Sequence, residues 1–407
     1  VPRPHPSRFL RILLASLALA ALPPAGSPGE DAAGAARAAA EAKRLFDLGD
    51  HAGAEREVSA ALALLPESAR AERAVRLAQR AEARVLLGAT PAALEDIALA
   101  LSLDDSVAVR RSALFVCLRS QRYREALGHA DVLIPREPGV ASHRLARGLA
   151  LVKEGRPEEA LPDLARGLEI PEARREARFA LALALGTLDR PREALMRLVE
   201  ILEEDPFDAE AVYQASRQVL RLRGPESARV AALLSRYFEA LRAEEGPASR
   251  DQHLLLAGQP LAAARERASR WERLGRFDRA LAEADVMRRL APAGREADAW
   301  LQAFWERQGY ATAPPAATLE QGIRETAAAG DAAGARRRAR LLLALEPRSR
   351  LALETLAAAA SDPELLVPRL HYARRLSALD PGSAWAAEHG RIRALLGGKA
   401  GPERPVR

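Results

Sequence analysis

A short pattern recurs along this chain with a period near 34 residues. A recurrence of that length points to a stack of small supersecondary units rather than one conventional core. Each copy has a Gly or polar residue, a short spacer, an Ala five positions later, and a helical stretch that stops at a proline. It is read at Gly49…Ala54…Pro66, Gly155…Ala160…Pro171 and Gly275…Ala280…Pro292. Gln121…Ala126…Pro138, Asp189…Ala194…Pro206 and Gly330…Ala335…Pro347 repeat it. Turn-equivalent positions fall at Gly49, Gly88, Gln121, Gly155 and Asp189, spaced 39, 33, 34 and 34. Further units centre on Gly275 and Gly330, with degenerate ones near Gly224, Gly309 and Glu364.

Each element of the pattern has a physical reason. Gly allows the positive backbone dihedral that ends a helix. The recurring Ala is small because two helices cross closely there. Proline stops the second helix, since it cannot supply the helical amide. Apolar residues at three- and four-residue steps, as in Leu145, Leu149 and Val152, give one buried stripe per helix. One hairpin leaves an apolar side open and the next hairpin covers it. No strand-like alternation of useful length occurs, so the expected class is all-α. Aromatics make up only 4% of the 407 residues, so Leu, Ala and Val must supply the core.

The units resemble the tetratricopeptide repeat family, in its bacterial type with a signal peptide, over roughly residues 35–382. That resemblance implies an α-α superhelix, a solenoid of antiparallel helix hairpins, whose members bind protein rather than catalyse. The second unit departs from the family pattern, with Asp104-Asp105 where Asp-Pro is usual. The family's groove-lining positions map to Arg111, Phe115 and Arg119 in one unit. They map to Leu145, Leu149 and Lys153 in the next, and to Phe179 and Leu183 in the third. Two readings of these residues stand side by side. Either they form an apolar peptide-binding strip edged by cations, or the larger side chains pack between adjacent helices. The Lys/Asn/Arg clamp by which some family members hold a terminal carboxylate is impossible in its usual form, because the chain contains no Asn.

Residues 1–25 have the layout of a secretory signal peptide: Arg3, Arg8 and Arg11, an apolar run to Leu22, then Pro23-Pro24-Ala25-Gly26. The apolar run is too short to span a bilayer. Export to the periplasm or cell envelope is therefore expected, with no integral membrane span after its removal. Residues 26–34 are expected to be a disordered spacer, 35–243 an N-terminal array and 244–250 a linker. Residues 251–397 are expected to be a less regular array ending in a capping helix, and 398–407 a disordered tail.

The whole chain carries +6, three of which belong to the leader. The remainder is close to neutral, and a nucleic-acid footprint needs clustered charge. Arg336-Arg337-Arg338 with Arg340 is the one tight basic run, and its residues are expected to spread around a solvated helix. The single cysteine, Cys117, excludes an internal disulfide framework. The seven histidines show no metal spacing, and there is neither a phosphate loop nor a nucleophile elbow. No catalytic residue, metal or cofactor is expected. The function expected is a non-catalytic scaffold or assembly adaptor that binds protein or peptide in the envelope. The alternative is a cytoplasmic interaction module of a larger complex. A sugar-binding groove is disfavoured because the four Trp lie outside the mapped strip. Partner identity and oligomeric state are not encoded legibly.

Overall fold

The computed structural model describes residues 30–245, 254–255, 259–292, 294–361 and 365–397. The expected leader (1–25) and tail (398–407) lie outside them. The described residues are helical, with no strand among them. Their helices are α1 (Glu30–Asp47), α2 (His51–Leu64), α3 (Arg70–Leu86), α4 (Thr90–Leu103), α5 (Val107–Arg119), α6 (Tyr123–Arg136), α7 (Ala141–Lys153), α8 (Pro157–Gly167), α9 (Arg174–Thr187) and α10 (Pro191–Glu204). They continue as α11 (Ala209–Arg221), α12 (Pro225–Glu245), α13 (Pro260–Arg273), α14 (Phe277–Leu290), α15 (Glu296–Arg307), α16 (Ala316–Ala328), α17 (Ala332–Leu345), α18 (Arg350–Ala359), α19 (Leu366–Leu379) and α20 (Ala384–Leu395). Helix α1 starts at Glu30, inside the stretch expected to be a spacer. The chain is a series of helix hairpins, as the repeat requires.

Most hairpin turns sit where the sequence placed them, and the unit expected near Glu364 is centred outside the described residues. Positive φ occurs at Gly49, Gly88, Gln121, Gly155, Asp189, Gly275, Gly309 and Gly330. It also occurs at Arg223, one residue before the Gly224 expected there. The turn is built the same way at Gly49, Gly88, Gln121, Gly155, Gly275, Gly309 and Gly330. Gly155 donates its amide to Val152 (3.2 Å) and Arg156 donates to Leu151 (2.9 Å). This crossed pair satisfies the last helical carbonyls when one residue takes the left-handed conformation. Gln121 does the same without a glycine, at a cost of roughly 1–2 kcal/mol for the crowded Cβ.

A turn fixed to one residue fixes which residues face each other across the hairpin. Those eight before and eight after it oppose one another. Around Gly88 they are Arg80 and Asp96, joined by two bonds of 2.9 and 2.7 Å. Around Gly155 they are Arg147 and Asp163, at 2.6 and 3.1 Å. Around Gly275 they are Arg267 and Glu283, at 2.8 Å twice. Asp96 and Asp163 are buried, so each forked guanidinium satisfies a carboxylate that water cannot reach. Around Gly330 the opposed pair is Gly322 and Arg338, and the arginine side chain lies over the bare glycine.

The recurring small positions Ala54, Ala126, Ala160, Ala194, Ala280 and Ala335 are all buried. The core between them is Leu, Val and Ala, with Phe115 and Phe304 its largest fully buried side chains.

Contacts group the chain into two compact units. One is the described part of Val1–Leu188 with His253–Pro260; the other is Asp189–Gln252 with the described residues after Leu261. In the first unit each hairpin packs on the next through α3, α5, α7 and α9. In the second, contacts also run far along the chain, with α19 packing against α10 and α12. Glu203 of α10 is the junction. Its buried carboxylate bonds His389 (2.7 Å), and its carbonyl accepts from His371 Nδ1 (2.8 Å). Burial lowers the His371 pKa to about 4, so that ring is neutral at pH 7. Ser383 precedes α20 as expected, but its hydroxyl donates back to the Asp380 carbonyl (2.7 Å) rather than capping the helix.

Gly148 in α7 tests how closely a hairpin closes. A Cβ there would meet Leu164 at 2.8 Å and the Asp163 Cβ at 3.2 Å. Helix propensity alone favours Gly148→Ala by about 1 kcal/mol. Packing against the fully buried Leu164 reverses the sign, and we expect a loss of roughly 1–3 kcal/mol by denaturant unfolding. A more stable variant would mean that α7 and α8 lie farther apart.

Candidate functional site

The residues mapped to the expected strip lie on α5, α7 and α9, which touch in succession. They divide by burial. Phe115 is 0% exposed and Leu145 is 1% exposed, both inside the core of the first unit. They have no surface to offer a ligand, so for these two the packing reading applies. Leu149, Phe179 and Leu183 are half-buried, and Lys153 is exposed. Arg175 lies over the Phe179 ring, 5.0 Å from its centre, which leaves a cation on that aromatic face.

The two arginines of the strip behave differently. Arg111 donates to the Glu137 carboxylate through Nε (3.0 Å) and Nη2, so its charge is committed within the fold. His143, fully buried, bonds the same carboxylate at 2.7 Å. Burial pushes the Glu137 carboxyl up, but these two bonds outweigh it and hold the pKa below its usual value. Arg119 is half-buried with its Nε unpartnered, and desolvation lowers its pKa.

His51 and Cys117 also pack within the fold. His51 stacks edge-on against Phe46 with centroids 5.0 Å apart. Cys117 is buried, and burial pushes its thiol up to about 12, so it stays protonated. Among the described residues, no group of three His, Cys, Asp or Glu side chains is placed to hold a metal ion.

A larger feature escaped the sequence reading. In the second unit α13, α15 and α17 wall an open cleft of about 1060 Å³. Six guanidinium groups line it: Arg265 and Arg273 from α13, Arg307 from α15, and Arg336, Arg337 and Arg340 from α17. Only Glu266 and Glu272 oppose them. Arg336, Arg337 and Arg340 are exposed, as the solvated-face reading expects. Arg338, eight residues after its turn, lies against its own hairpin, and the other three reach one cleft. The legible signal was the spacing from Gly330, which separates Arg338 from its neighbours.

No family model matches the chain, and no curated protein matches it. Solved structures that it resembles are tetratricopeptide repeat proteins. One, from Parabacteroides merdae, is 16% identical, with 68% of this chain and 99% of that chain covered and a TM-score of 0.42. Another, the P58(IPK) TPR domain, is 15% identical, with 89% and 88% covered and a TM-score of 0.24. The hairpin architecture stands on the chain's own turns and packing.

Beside the strip, Glu82 of α3 is a buried acid near Ser112 of α5. Burial raises its pKa to about 7, with the Ser112 bond a smaller opposing effect. Folding therefore takes up a proton between about pH 4.5 and 7. That contribution to stability is full below 4.5 and is lost as pH rises through 7. The lowered pKa values of His129 and His143 slope the other way, so the comparison must be between variants. Relative to the parent, Glu82→Gln should gain on the order of 2–3 kcal/mol between pH 4.5 and 8. A pH-independent difference would contradict the buried acid.

Proposed function

We propose that this protein is a non-catalytic scaffold that binds a protein or peptide after export to a cell envelope. The observation that carries the binding reading is that Leu149, Phe179 and Leu183 are only half-buried and Lys153 is exposed, on helices α7 and α9 that touch each other. These residues suit a peptide with apolar anchors and an acidic neighbour, with the anchors supplying most of the energy. Export is supported by the basic, apolar, small-residue order of residues 1–25. No helix among the described residues is long and apolar enough to cross a membrane.

The test pairs capture with stability. Crosslinking to an envelope extract should lose its specific partner with Phe179→Ala or Lys153→Glu while melting stays near that of the parent. Phe115→Ala should instead unfold the protein more easily by about 3–5 kcal/mol, with capture falling only in step. Unchanged capture by both surface variants would reject the strip. N-terminal sequencing of the protein from cell fractions decides the location. A retained leader in a soluble cytoplasmic fraction would favour an interaction module of a cytoplasmic complex.

A further inference from the structure

The structure assigns a second binding site to the cleft between α13, α15 and α17, for an acidic peptide segment. The inference shares with the proposed function only the premise that the ligand is polypeptide; it does not use the strip on α7 and α9.

The charges in the cleft are not balanced among themselves. Glu272 is taken by Arg307 through two bonds of 2.9 and 2.7 Å, and Gln308 adds a third at 3.0 Å. Glu266 lies 3.9 Å from Arg273. Among the described residues, no carboxylate pairs with Arg265, Arg336, Arg337 or Arg340. The cleft is open and its six arginines are exposed, so their field is screened by salt, but the local excess of positive charge still draws in the opposite charge.

The cations are also positioned. Arg337 donates to the Gln308 side chain (2.9 Å) and to the Arg307 carbonyl (3.0 Å), which anchors one edge of its guanidinium. Arg340 reaches across to the α13–α14 turn, where its Nη1 lies 2.5 Å from the place a Cβ would take on Gly275. A Cβ there would displace that guanidinium, and the positive φ of Gly275 itself favours glycine. The turn that pairs Arg267 with Glu283 thus also forms part of the cleft wall.

The same walls favour carboxylates over a nucleic-acid backbone. Single strands are held by stacking bases on aromatic faces. Trp300 lines the cleft but is only 7% exposed, stacks on Phe304, and directs its N–H to Ser269. Glu266 and Glu272 would repel an unbroken row of phosphates. A peptide places its carboxylates at intervals and presents N–H groups between them, and guanidinium forks match single carboxylates.

Direct binding to the purified full chain tests this. The probes are a short, terminally capped peptide alternating Asp and Ser, its Lys/Ser counterpart, an oligonucleotide of equal charge, and inorganic phosphate. The caps remove any terminal carboxylate from the reading. The acidic peptide should bind, weaken steadily as salt is raised, and lose about tenfold or more in affinity in Arg336→Glu with Arg340→Glu. Arg336→Gln with Arg340→Gln should lose less, and it serves if the reversed pair does not fold. Arg348→Glu, exposed on the loop after α17 and outside the cleft, should change affinity less than twofold. Absence of acidic-peptide binding to the parent chain would overturn this site and leave the strip to be judged by its own variants. Equal binding by the cleft variants would overturn it as well. Tighter binding of the oligonucleotide or of phosphate through the same arginines would replace it with a general polyanion site.

Discussion

The left-handed residue that ends the first helix of each hairpin is the constraint from which the other features follow. It ties the turn to one position, so residues equally distant from it must meet. Three hairpins use that meeting for a forked arginine and a carboxylate, at Arg80–Asp96, Arg147–Asp163 and Arg267–Glu283. A buried ion pair of this kind gives little net stability over an apolar pair, but breaking one side is costly. Its value here is register. A hairpin that slipped by one residue would take Arg147 from the buried Asp163, and Arg80 from the buried Asp96, which Arg84 also holds (2.8 Å).

The same register sorts surface from interior. In α5 and α7 it turns Phe115 and Leu145 inward, leaves Leu149 half-buried against the core and puts Lys153 in solvent. In α17 it sends Arg338 across its own hairpin and leaves Arg336, Arg337 and Arg340 to the cleft. The second unit adds a constraint that neighbour-to-neighbour stacking does not supply. Glu203 of α10 holds His389 of α20 and His371 of α19, so helices far apart in sequence close on one another.

Most of the fold was legible because the turn signals are local. Gly49, Gly155 and Gly275 mark their own backbone conformation, and the Ala five residues later marks the crossing. Arg223 was harder. A bulky residue occupies the left-handed position, and the neighbouring Gly224 drew the turn one residue too far. The strip was only half legible, since a family position says which helix face is meant but not how deeply a neighbouring hairpin covers it. Phe115 and Leu149 look alike in sequence and differ in burial for that reason. The cleft was not read, because it depends on three helices whose proximity is tertiary. The closure at Glu203 was invisible too, since its carboxylate sits in what reads as an ordinary acidic helix end.

The most direct measurement of this account is a double-mutant cycle across one turn, with Arg147→Ala, Asp163→Ala and the pair compared by denaturant unfolding. A control cycle uses Arg147 with Glu159, which lies four residues after the same turn and pairs with Arg156 instead. The account predicts a coupling of about 1–3 kcal/mol between Arg147 and Asp163, and within about 0.5 kcal/mol of zero for the control. Coupling to Asp163 no larger than coupling to Glu159 would contradict the register on which the hairpins, the strip and the cleft all depend.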